Sequence, residues 1–505
     1  MILLDEDHSR KTAHDHVAGP TLRFPERAVG RPASASALTL PDYETSQALQ
    51  NDDEVYKKPT KKRMDSRFWR STLYALIIYI FLSLVIVTPI LFTMRRKSHH
   101  QSSNPPQPWQ QGYNMGTPSD PASLDDTKGA IPICNSWSHQ DNSNGHHLAS
   151  SYWSIPATGQ FSIRSNASTE VVQRIWGDLQ ISMNSNKTSK QAYLSISMQA
   201  SSSSVKYATN VCWAQTDDAC DLALYVPDNL SNADSLYFNI TLLFPHISTP
   251  SSVNKLATYL PTFRQSVGAM SENWTFSSVS MQGDSSVFKA DYLQANNLIV
   301  QTSSAEISGK FYVTESLTLD TIDAPINAYV TLVNDWTNEE PTFLSMDTGQ
   351  GPIDTKIHLV GPRPPNQRTI FQTSVKTFNA PLSVSVTHDA NTPPSEFHLS
   401  AVNSVGRAYV TLDNKFQGTF DLSTKLASAD INEVDPQSLI ADPSGGKGKR
   451  NYQLDFSTNS RKFGWVGWGN QPKSMKHQGH VAVSSTHNPV ILHLEGTGSI
   501  DADNS

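Results

Sequence analysis

The chain is 505 residues long, with 39 Lys and Arg against 46 Asp and Glu for a net charge of -7, and it holds three cysteines. This length accommodates more than one domain, while the acidic balance leaves no electrostatic footprint for nucleic acid. With no CxxC or HxxxH spacing, neither a metal nor a cofactor is expected.

Residues 1–70 carry 12 basic and 11 acidic side chains among Pro, Ser and Thr, and show no sustained apolar period. A chain of that composition buries too little to fold, so a disordered cytosolic tail is expected. Its basic run, Lys57 to Arg63, reads first as a topogenic cluster and second as an inner-leaflet contact worth about 1 kcal/mol per charge. Residues 71–94, STLYALIIYIFLSLVIVTPILFTM, carry no charge. At about 1.5 Å per residue such a helix reaches about 36 Å and crosses a bilayer core of about 30 Å. It begins far from the N-terminus and lacks a small-residue cleavage site, so it reads as an uncleaved signal anchor. Lys57, Lys58, Lys61, Lys62, Arg63, Arg67 and Arg70 precede it, whereas only Arg95, Arg96 and Lys97 follow. The bias predicts a single-pass membrane protein, N-terminus inside and C-terminus outside, at the plasma membrane or in the secretory pathway.

Residues 95–149, rich in Pro, Gln, Ser and Asp, read as a flexible stalk in which His99 and His100 are solvated. From about 150 to 500 the period changes to two. Leu179, Ile181 and Met183 alternate with polar residues, as do Leu194, Ile196 and Met198, and Leu236, Phe238, Ile240 and Leu242. These are half-buried strands, and Thr169 to Leu179 is the one modest helix candidate. Five glycosylation sequons, at Asn166, Asn186, Asn229, Asn239 and Asn273, all follow the span. Cys212 and Cys220 bracket a short loop and are expected to form a disulfide. Cys134 is then either a free thiol or the link of a disulfide-bonded dimer.

A repeat begins near residue 290. Leu298 to Ile307 is echoed by Leu317 to Ile326 and by Leu344 to Ile353, with half-copies at Thr377 to Leu382, Ser485 to Val490, Phe420 to Thr424 and Leu454 to Thr458. Each unit is a strand, a small-residue or proline corner, and an apolar residue that opens the next strand. One unit cannot bury its own apolar face, so copies must stack. The expected fold is mainly β, a repeat-built β-solenoid or β-sandwich, joined to one transmembrane helix and a disordered tail.

The L-x-Φ-x-T-x-x-[AG]-P-I units, the Gly418 to Thr424 run, the Trp/Gly segment Gly464 to Gly469 and the closing Gly479 to Val490 resemble an uncharacterised family of fungal single-pass membrane proteins. That family is similar in turn to the repetitive adhesin-like β domains of bacteria. The resemblance implies an adhesive architecture and supplies no catalytic residue.

No GxSxG, P-loop, GxGxxG or HExxH motif occurs, so no catalytic residue is assigned. Asp320, Asp323, Asp347 and Asp354 recur along the repeat, either as solvated turn and strand residues or as a carboxylate ladder for Ca²⁺ or glycan. Trp465 and Trp468 are read either as caps of the repeat core or as a sugar-stacking pair. Asp217 and Asp218, in the Cys loop, and the basic loop Gly445 to Arg450 are read as solvated. The sequence thus points to a non-enzymatic, glycosylated membrane protein whose ectodomain makes adhesive contacts, with cell-wall polysaccharide or another surface protein as partner. A carbohydrate-active enzyme on a β-helix scaffold and a receptor signalling through the tail are the alternatives.

Overall fold

Apolar residues at every second position leave each strand one dry face, and the chain stacks these faces into a two-sided coil. The computed structural model describes residues 130–141, 147–168, 174–334, 340–361, 368–434, 442, 449–475, 477–495 and 498–499. The tail 1–70, the span 71–94 and the stalk as far as 129 lie outside the described residues. Among the described residues no helix is long and apolar enough to cross a membrane.

The architecture is a β-solenoid with two ladders of parallel strands facing one another across the core. Successive coils place one strand in each. In the first ladder Thr342–Thr348, Ile370–Thr377 and Glu396–Asn403 pair in parallel register. In the second, Ile326–Val333, Ile353–Val360, Leu382–His388 and Ala408–Leu412 do the same. The long strands Phe288–Gln301 and Ile307–Thr321 run through both ladders, with register shifts where they bend. Inward rows are continuous: Ile307, Ile326, Ile353, Leu382 and Ala408 face Leu319, Met346, Val375 and Ala401 across the core, all fully buried or nearly so.

The repeated T-x-x-[AG]-P corner has a direct physical reading. The strand-ending polar residue turns inward and its side chain donates to the corner carbonyl of the coil beneath. Thr348 Oγ1 donates to Ala324 O (3.1 Å), Thr377 Oγ1 to Gly351 O (2.9 Å) and Asn403 Nδ2 to Ala380 O (2.6 Å). These bonds satisfy buried carbonyls that no strand reaches. The third corner position must be small because corners lie on one another. A Cβ added at Gly351 would lie 1.8 Å from Ala324 O, and one at Gly406 2.2 Å from Ala380 O. Proline at 325, 352, 381 and 489 removes a donor that the corner could not satisfy, while its carbonyl accepts from the first residue of a neighbouring coil, as in Ile326 N to Pro352 O (3.0 Å).

Chain order and spatial order part at both ends. Near the N-terminus the coil made by Gln160–Ser165 and Ile175–Met183 lies between the coil of Ala219–Tyr225 and Leu236–Phe244 and that of Ser251–Tyr259 and Phe263–Ala269. Near the C-terminus Gly479–Ser484 and Val490–Glu495 are inserted between the coil of Glu396–Asn403 and Ala408–Leu412 and that of Gly418–Ser423 and Ala429–Val434. Antiparallel strands then cover the outer coils: Asn210–Gln215 and Ala192–Ala200 at one end, Arg461–Trp468 at the other. Reversing strand direction ends the parallel register that another coil, or another copy, would extend.

Three sequence expectations are corrected. Residues 130–149, read as the end of the stalk, supply the strands Ile133–Cys134 and His139–Asp141 and the start of His147–Ile155. The helix expected over Thr169 to Leu179 is a strand from Ile175 onward, with 169–173 outside the described residues. The disulfide joins Cys134 to Cys212, and Cys220 is free and buried. Strand alternation explains this. Asn210–Gln215 and Ala219–Tyr225 form a hairpin in which Cys212 lies opposite Ala223. Cys220 is three residues from Ala223, hence on the other face, and joins the main core while Cys212 packs outside it. Cys134 lies directly opposite Cys212 on the next strand, so it is neither the free thiol nor the link of a disulfide-bonded dimer that the sequence left open.

Candidate functional site

The candidate site is a groove of about 430 Å³ on the outside of the first ladder, at the corner where Gln282, Gln301 and Asp320 follow one another in register. Each precedes a corner and each alternates with buried residues such as Met281, Val300 and Leu319, so the three side chains project outward on adjacent strands. They join end to end: Gln282 Nε2 donates to Gln301 Oε1 (3.3 Å), and Gln301 Nε2 to Asp320 Oδ2 (3.5 Å). The same row continues to Asp347 and Lys376. Tyr259, Asp284 and Asn166 complete the walls.

Asp320 is only 7% exposed. Burial, reinforced by the charge of Asp347 and opposed by the Gln301 hydrogen bond, pushes its pKa up to about 6. Burial also raises Asp347, against the attraction of Lys376, and raises Tyr259, with Asp284 adding to the effect. Near neutral pH the groove therefore offers amides that donate and accept, a phenol that donates and a carboxyl that changes state close to pH 6. Such a surface reads hydroxylated ligands.

The raised carboxyl makes a signed prediction. The folded chain holds the Asp320 proton up to about pH 6, whereas the unfolded carboxyl releases it near 3.8. Stability from this group is thus highest below about pH 4, falls as pH rises toward 6 and stays lost above it. Asp320→Asn is expected to stabilise the fold at pH 7.5 by at most about 3 kcal/mol, read as a higher melting temperature, and to leave it unchanged at pH 4. An equal shift at both pH values would contradict this.

The four repeat aspartates are not one ladder. Only Asp320 and Asp347 are neighbours. Asp354 lies on the outer face of the second ladder, and Asp323 is exposed in a corner. Asp217 and Asp218 are exposed in the hairpin turn. Trp465 is 2% exposed, its Nε1 donating to Gln478 Oε1 (2.9 Å), and half-buried Trp468 donates to Asn414 O (2.9 Å). Both tie the covering hairpin to the stack, and Trp465 presents no free ring face. Of the basic loop, residues 445–448 lie outside the described residues, and Arg450 is buried.

The sequons divide by geometry. Asn186, Asn229 and Asn239 are exposed. Asn166 is tied in both directions to Val226, accepting from its N–H (2.7 Å) and donating to its carbonyl (3.2 Å), and Asn273 Nδ2 donates to Ile247 O (3.0 Å).

Two polar clusters escaped the sequence reading. His388 Nε2 and Ser395 Oγ lie 2.8 Å apart, and His388 Nδ1 is 3.0 Å from Asp413 Oδ1, the order of a Ser-His-Asp triad. All three residues are buried, and Asp413 also accepts from the backbone N–H groups of His388, Lys415 and Phe416. The arrangement clamps one corner rather than presenting a nucleophile. The second cluster lies on the outer face, where Glu396 bridges His398 (3.2 Å) and His477 (3.7 Å). Among the described residues no group of His, Cys, Asp and Glu is placed to hold a metal ion. Gln282 and Gln301 were missed although their spacing of 19 residues continues to Asp320. Gln301 already lies in the copy Leu298 to Ile307, and extending the repeat one copy upstream, to Met281-Gln282-Gly283-Asp284, would have added Gln282.

Residues 296–467 match a family model described as a domain of unknown function, DUF7330. No curated protein matches. Among solved structures, a candidate cell adhesion protein from Clostridium sporogenes is 9% identical over 69% of this chain and 99% of its own, with a TM-score of 0.14. A candidate adhesin from Parabacteroides merdae is 8% identical over 52% of this chain and 95% of its own, with a TM-score of 0.18. At those scores neither likeness carries an argument about this chain.

Proposed function

We propose that the chain is a non-enzymatic, glycosylated, single-pass surface protein, anchored N-in and C-out through residues 71–94 at the plasma membrane or within the secretory pathway. Its solenoid makes adhesive contacts with cell-wall polysaccharide or another surface protein. The carrying observation is the outward row from Gln282 to Lys376, which sets hydrogen-bonding side chains at the inter-strand spacing of about 4.8 Å along a rigid stack. A ligand with its own repeat can meet such a row at several points at once, turning weak contacts into avidity.

The test is binding of an ectodomain, begun at residue 130 so that Cys134 is retained, to intact cells and to insoluble wall polysaccharide. Association that weakens when Gln282, Gln301 and Asp320 are replaced by Ala supports the reading, and no association with either material sinks it. The adjacency of Asp320 and Asp347, both with pKa values raised by burial, favours a second reading as a glycoside-cleaving enzyme. Turnover of a polysaccharide that is lost in Asp347→Asn would establish it. Signalling through the tail is a third reading, and tail deletion without phenotype would remove it.

A further inference from the structure

The outer face of the second ladder carries an aromatic pair beside a glycosylation sequon. Trp176 and Tyr237 are register partners on adjacent parallel strands, with ring centroids 6.1 Å apart at an interplanar angle of 45°. Trp176 is 41% exposed, the opposite of the buried Trp465. Recesses of about 320 and 270 Å³ flank the pair. Asp178 and Arg264 line the first, and Gln199 and Ser235 the second. Tyr237 Oη donates to Asp178 Oδ2 (2.7 Å), and Arg264 Nη1 lies 3.8 Å from Asp178 Oδ1, so the charges beside the rings offset one another. An exposed aromatic ring with balanced charge, amide and hydroxyl at its rim suits a neutral pyranose, whose C–H face stacks on the ring while its hydroxyls hydrogen-bond at the edge.

Asn239 stands directly opposite Asp178 on the next strand. It is two residues beyond Tyr237, so both side chains leave the same face about 7 Å apart. Its sequon threonine, Thr241, is two residues further along that face. No other exposed sequon lies on a strand beside a pair of outward-facing aromatic rings, and Asn166 and Asn273 already spend their amides on backbone partners.

We propose that Asn239 carries an N-linked glycan whose first sugar docks on Trp176 and Tyr237. The glycan is then a folded part of the N-terminal coils as well as a coat upon them. This inference rests on the glycosylated-surface reading and narrows it to one site and one contact.

The test uses the detergent-solubilised full chain from a glycosylating eukaryotic host, with site occupancy read by mass spectrometry. Trp176→Ala is then compared in the Asn239 and Asn239→Gln backgrounds. With Asn239 occupied, Trp176→Ala is expected to lower the melting temperature by roughly 2–4 °C more than it does in Asn239→Gln. Trimming the glycan to a single N-acetylglucosamine should preserve that difference. Tyr237→Ser serves as the second variant. Equal shifts in both backgrounds, or an unoccupied Asn239 beside occupied sequons elsewhere, would overturn the docking and leave the surface reading standing. No glycan at any sequon would overturn both.

Discussion

Deleting residues 479–505 is expected to unfold the segment 418–468 while the coils between 251 and 377 stay folded. Gly479–Ser484 is the parallel neighbour of both Glu396–Asn403 and Gly418–Ser423, and Val490–Glu495 stands likewise between Ala408–Leu412 and Ala429–Val434. Val481, Val483, Val490, Leu492 and Leu494 are fully buried. Their removal alone costs roughly 7–15 kcal/mol of apolar burial. Hydrogen exchange should show protection lost across 418–468 and retained over 251–377, since repeat arrays lose stability locally. Retained protection of 418–468 would mean that the inserted coil is dispensable. A folding consequence accompanies this. The outer coil is made before the coil that supports it, so the C-terminal end must assemble late, on contacts of long sequence separation.

The features legible in the sequence are those whose partners lie nearby in the chain. Thr348, Gly351 and Pro352 announce a corner because the chemistry of a corner fits within six residues, and each copy repeats it. Alternation over Leu236 to Leu242 announces a strand for the same reason. What escaped was pairing at a distance. Nothing near Gly479 tells that it is wedged between strands 60 or more residues upstream. Cys212 and Cys220 looked like partners by spacing, yet the hairpin register puts them on opposite faces. The aspartates illustrate both sides of this. Asp320 and Asp347 fall in register because the repeat counts them so, whereas Asp354, seven residues on, has already passed the corner into the other ladder. Trp176 and Tyr237 were invisible as a pair because 60 residues and three intervening strands separate them.

Asp413→Ala should be the most damaging single substitution outside the apolar core, at about 3–5 kcal/mol. The Asp413 carboxylate serves His388 Nδ1 and three backbone N–H groups, and its charge favours that of buried Arg450 more than any other. Arg450 donates to Phe416 O (3.0 Å) and to the carbonyl of Glu495, joining the corner to the last inserted strand. Burial lowers its pKa to about 10, with Asp413 and Glu495 opposing that fall. Removing the carboxylate leaves a buried guanidinium with Glu495 as its remaining countercharge and several donors without acceptors. Burial works to raise the pKa of Asp413, but the His388 hydrogen bond and charge, with Arg450, more than offset it and hold the carboxyl below its ordinary value. A folded pKa below the unfolded one means that the unfolded state binds the proton first. The stabilisation is therefore present above the unfolded value near 3.8 and is lost as pH falls through the folded value. Asp413→Asn, which keeps the shape and an acceptor oxygen, should cost most at pH 7 and progressively less below pH 4. Denaturant unfolding of the two variants from pH 7 to pH 3 checks both claims. A pH-independent penalty would show that shape at this corner, and not the charge of Asp413, holds His388 and Arg450 in place.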